Sequence, residues 1–163
     1  MRRPRLLCAI GMGLWSAAVG GSQATAPVVL SGALRAHVTD ERFGIVTSIR
    51  GLPLGVRDEL QRLFGSSTLD IAEPGGAFQT SYAVADPKLP IRRLVAAGCS
   101  PDHCLVYYER GGVAHTWQAA LFHWTPDATR LEVGGVAPRG LTSIDEVRSA
   151  ILTGAIKGPI KVW

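Results

Sequence analysis

Most signatures of chemistry are missing from this sequence. It has three cysteines and no Cys-x-x-Cys pair, so the usual dithiol redox motif is excluded. It has no Gly-x-Ser-x-Gly elbow to present a serine nucleophile. Gly75-Gly76 and Gly134-Gly135 are too short to cradle a phosphate and read as turns. Asp102, Glu109, Asp127 and Glu132 show no spacing that selects a carboxylate pair for sugar hydrolysis. There is one long apolar run, Leu6 to Val19, shorter than the roughly 20 residues a bilayer-spanning helix needs.

That run belongs to an expected secretory signal. Arg2, Arg3 and Arg5 precede it, and Ser22-Gln23-Ala24 follows as a small-x-small cleavage site. Residues 1–24 are read as the signal and 25–163 as one exported domain, periplasmic or extracellular. Three of the 17 basic residues then leave with the signal, so 14 basic residues face 13 acidic ones. A near-neutral domain with no basic cluster does not fit nucleic-acid binding. The remaining 139 residues suit a single core, and nothing in them predicts a transmembrane segment.

Export leaves Cys99 and Cys104. An oxidising compartment favours a disulfide between them. The intervening Ser-Pro-Asp-His is a turn sequence that can bring two antiparallel strands to bridging distance.

Hydrophobic periodicity predicts strands at 28–38 and 43–49, and a short one at 78–84. Val56, Leu60, Leu63 and Phe64 form one helical stripe between Pro53 and Gly65. Strands at 91–98, 104–110, 113–124 and 129–136 form a meander. Ser143 and Glu146 make a capping box ahead of Val147 and Ile151. The tail from Ile156 reads as a docked arm. The fold class is therefore α+β: a small single domain with an antiparallel meander of about four to six strands, packed against two short helices and stapled by one disulfide.

The segment from Cys99 to Trp124 holds three of the four histidines, with Tyr107, Tyr108, Trp117 and Trp124. A two-residue Gly111-Gly112 turn would pair Arg110 with Val113, Tyr108 with His115 and Val106 with Trp117. Carried back one strand from the cysteines, the ladder sets Ala97 opposite Val106, Val95 opposite Tyr108 and Arg93 opposite Arg110. Arg93, Tyr108, Arg110 and His115 then cluster at the Gly-Gly end of one face. Two opposed arginines call for an anion or a partner carboxylate between them. The face carrying Arg92, Leu94, Glu109, Thr116 and Gln118 reads as the more exposed one.

No cofactor and no metal site is expected. His115 and His123 lie roughly 26 Å apart along one strand, and His103 and Cys104 point to opposite faces. The expected function is a small exported binding protein that recognises an anionic ligand or a protein partner of the envelope or medium. A structural envelope component, or a small hydrolase using His115, are the alternatives.

Overall fold

A computed structural model of the chain describes residues 26–81 and 86–159. The expected signal and its cleavage site lie outside these residues, as do the last four residues and part of the strand expected at 78–84. The elements run α1 (Gly32–Asp40), β1 (Gly44–Val46), a 3-10 turn at Ile49–Gly51, α2 (Leu54–Phe64), β2 (Arg92–Cys99), β3 (His103–Arg110), β4 (Thr116–Trp124), β5 (Thr129–Ala137) and α3 (Ile144–Leu152). The five strands form one antiparallel sheet in chain order. The α+β meander and the Cys99–Cys104 disulfide are both present. None of the described helices is long and apolar enough to cross a membrane.

Local chemistry explains the helices. In α2 the apolar stripe of Val56, Leu60 and Phe64 is buried, and Gly65 ends the helix at φ 63°. In α3 the Glu146 amide donates to Ser143 Oγ, and Glu146 Oε2 accepts from the Ser143 amide. Hydrogen bonds from the Thr142 amide and hydroxyl, with a smaller contribution from the Ser143 amide, hold the exposed Glu146 carboxyl below its ordinary range. The strand expected at 28–38 is replaced by α1, giving a third helix. Ser31 caps it by accepting from the Leu34 amide. Leu30 and Val38 are buried, and Arg148 of α3 donates to the carbonyls of Val38 and Thr39.

The helices cover both faces of the sheet. Val38, Val147, Ala150 and Ile151 pack on Leu105, Tyr107, Ala119 and Leu121. On the other face, α2 packs on Leu94, Val106, Tyr108, Ala120 and Phe122. The expectation of one exposed face is therefore overturned: Leu94, Glu109 and Gln118 are all buried. The tail closes the β5 edge. Lys157 exchanges backbone hydrogen bonds with Val136, and the Val28 amide donates to the Ile156 carbonyl. Pairing the outer strand in this way removes an open edge.

Candidate functional site

Two irregularities in the ladder decide what gathers at the β3–β4 end. The first is a bulge in β2 between Leu94 and Ala96. Near the disulfide the pairing is regular, with Cys99 opposite Cys104 and Ala97 opposite Val106. Past the bulge the register slips by one, so Arg92 faces Arg110 and Arg93 faces Glu109. The second is the connection from β3 to β4, which spans residues 111–115 rather than two glycines. Arg110 pairs with Thr116 and Tyr108 with Gln118. Relative to a Gly111-Gly112 turn, β4 is displaced by three residues, an odd number, so its two faces are exchanged.

Gly111 has a different task from the one expected. A side-chain carbon at Gly111 would lie 1.6 Å from the Gln79 carbonyl oxygen. The backbone of 79–80 therefore lies directly on this residue. Gly112, at φ 102°, makes the turn itself.

The expected cluster of Arg93, Tyr108, Arg110 and His115 is split between the two faces. Arg93 and His115 meet at Glu109. Arg93 Nε donates to Glu109 Oε1 at 2.6 Å, and His115 Nε2 lies 2.9 Å from Oε2. The carboxylate is buried while both partners are about one-third exposed. The His115 ring stacks on Trp117 at 4.4 Å rather than on Tyr108, and Arg93 lies 4.6 Å over the Phe78 ring. Glu109 is thus the partner carboxylate that Arg93 required.

Tyr108 and Arg110 lie on the α2 face. Tyr108 donates to Gln118 Oε1 at 2.9 Å and packs edge-on against Phe64. Burial pushes its hydroxyl pKa well above the ordinary tyrosine value. Arg92 is only 3% exposed. It donates to Asp70 at 2.8 Å and sits 4.1 Å over the Phe64 ring. Burial lowers its pKa, and Asp70 opposes that shift.

Beside these residues the 111–115 loop borders a half-open cavity of about 510 Å³. Ile91, Val113 and Ala114 give it an apolar wall, and Arg110 and Thr116 bring polar groups to it. Thr116 Oγ1 is buried with no hydrogen-bond partner among the described residues. A buried hydroxyl in that state is uncommon and invites a partner. The volume falls within the roughly 300–1,000 Å³ usual for small-molecule sites.

A second polar cluster occupies the disulfide end of the same hairpin. Glu41, at the end of α1, accepts from the Ser100 hydroxyl and lies between His37 and His103. Burial pushes its carboxyl pKa up, but Ser100, His37 and His103 outweigh this and hold it below the usual carboxylate range. His37 and Glu41 were not among the sequence candidates. Only the docking of α1 on the sheet brings them to His103. No protein-family model, curated protein or solved structure matches this chain.

Proposed function

We propose that this is an exported binding protein that takes a small molecule with an apolar body and an acidic group, in the cavity beside the β3–β4 loop. One observation carries the reading. An apolar cavity of ligand size is lined by a guanidinium, Arg110, and by the hydroxyl of Thr116, which is buried and has no hydrogen-bond partner among the described residues. A ligand carboxylate between them would gain charge-assisted hydrogen bonds, and its carbon body would lie on Ile91 and Val113. The disulfide fits an oxidising compartment, which supports export.

Thermal unfolding with octanoate, octanol and sulfate tests this. Octanoate at a hundred times its Kd should add about 2.7 kcal/mol of stability. Octanol and sulfate should add far less, and Arg110→Gln should remove the octanoate effect. No stabilisation by octanoate, or equal stabilisation by sulfate, contradicts the reading.

The Glu109–His115 pair supports a second reading, a small exported hydrolase, because a carboxylate on one ring nitrogen orients a histidine base. That base also needs a nucleophile. Among the described residues the hydrogen-bond partner of His115 is Glu109. Hydrolysis of nitrophenyl esters that disappears in His115→Ala would favour this second reading over the first.

A further inference from the structure

Three of the four histidines come together at the disulfide end of the sheet, away from the cavity. His37 and Glu41 are four residues apart, so a helical turn places both on one side of α1. His103 opens β3, and the register sets His123 directly opposite it. Glu41 lies between two imidazoles: Oε1 is 2.5 Å from His37 Nδ1, and both oxygens are 3.1 Å from His103 Nδ1. The His37 and His103 rings are 4.6 Å apart, and His123 packs edge-on against His103 at 5.3 Å.

We propose that His37, Glu41 and His103 form a binding site for a divalent transition-metal ion of the zinc class. Ligand atoms from these three residues all lie within 4.8 Å of one another. Around a tetrahedral zinc they would lie about 3.3 Å apart, given metal–ligand bonds of about 2.0–2.2 Å. Side-chain rotation covers that difference. Two imidazoles and one carboxylate form a donor set that selects zinc, nickel or copper(II) over calcium and magnesium. The nearby cysteines are joined in the disulfide, so the donors are nitrogen and oxygen only.

Two of the three ligands are already held. His103 is 3% exposed, and its amide donates to Ser100 Oγ at 2.9 Å within the turn that the disulfide closes. The same Ser100 hydroxyl donates to Glu41 Oε2, fixing the carboxylate in the manner of outer-shell partners at metal sites. His37 is 48% exposed at its side chain, so its ring has room to turn from Glu41 onto an ion. Three protein ligands leave a fourth position open for water or an exogenous ligand. His123 packs beside His103 but is outside this ligand set. The site shares no residue with the proposed ligand cavity, so it stands or falls independently of that reading.

The test uses the untagged protein with its disulfide intact, stripped with chelator and equilibrated with zinc alone. Equilibrium dialysis with metal analysis should find one zinc per chain at micromolar free metal. Imidazole nitrogen resonances of His37 and His103 should move, and those of His115 should not. His37→Ala should weaken binding at least ~10-fold with circular dichroism unchanged, because His37 is exposed. Glu41→Gln should weaken it similarly, and His115→Ala should leave it as it was. No zinc uptake at micromolar free metal, or uptake fully retained in both His37→Ala and Glu41→Gln, overturns the proposal.

Discussion

Arg93 lies opposite Glu109, not opposite Arg110, because one extra residue in β2 shifts the ladder. The result is a buried carboxylate shared between a guanidinium and an imidazole. Removing the carboxylate strands Arg93 in a half-buried site. Glu109→Gln should cost about 1–3 kcal/mol by chemical denaturation. A double-mutant cycle with Arg93→Met should return a favourable coupling of about 1 kcal/mol, with the partial exposure of Arg93 keeping it small. Zero coupling would mean the pair is incidental.

Gly111 should tolerate no side chain. Gly111→Ala drives a carbon into the Gln79 carbonyl, so a loss of about 1–3 kcal/mol is expected as 79–80 is displaced. Gly112→Ala meets open space and pays only for positive φ, about 1–2 kcal/mol. Amide exchange at 78–81 should rise in the first variant and stay unchanged in the second.

These residues also show where the sequence was readable. The capping box at Ser143 and Glu146, the α2 stripe and the Cys99–Cys104 turn depend on neighbours within a few positions, and all form as read. The segment 28–38 was ambiguous in principle. Leu30, Leu34 and Val38 are spaced by four, which puts them on one face of a strand or of a helix alike. The Ser31 cap was the discriminating signal. The bulge at Val95 leaves no mark in a run such as RRLVAAGC, and Gly111-Gly112 resembles a tight turn until Gln79 is known to lie against it. Both long-range facts move the arginines and the histidine, so the site was less legible than the fold.

Thr116→Val should trade function for stability. It replaces a buried hydroxyl that has no partner among the described residues by a methyl group of similar size. Stability should hold or rise by up to about 1 kcal/mol, and octanoate binding should weaken. A clear loss of stability would show that the hydroxyl is already satisfied.

The buried tyrosines set the alkaline limit. Burial pushes the Tyr107 hydroxyl up to about 12, and raises Tyr108 as well. A tyrosine with a raised folded pKa binds its proton more tightly in the native state. Its contribution is complete below the unfolded value of about 10 and is lost as pH climbs through the folded value. Tyrosinate absorbance for these two residues should therefore appear together with loss of near-ultraviolet dichroism. Ionisation of both with the fold intact would refute the burial.

Amide chemical-shift mapping with octanoate tests the central claim most directly. The account predicts saturable shifts confined to Ile91, Arg110 and the 111–116 loop, absent in Arg110→Gln. Shifts scattered over the surface, or none at millimolar octanoate, would contradict a ligand site in this cavity.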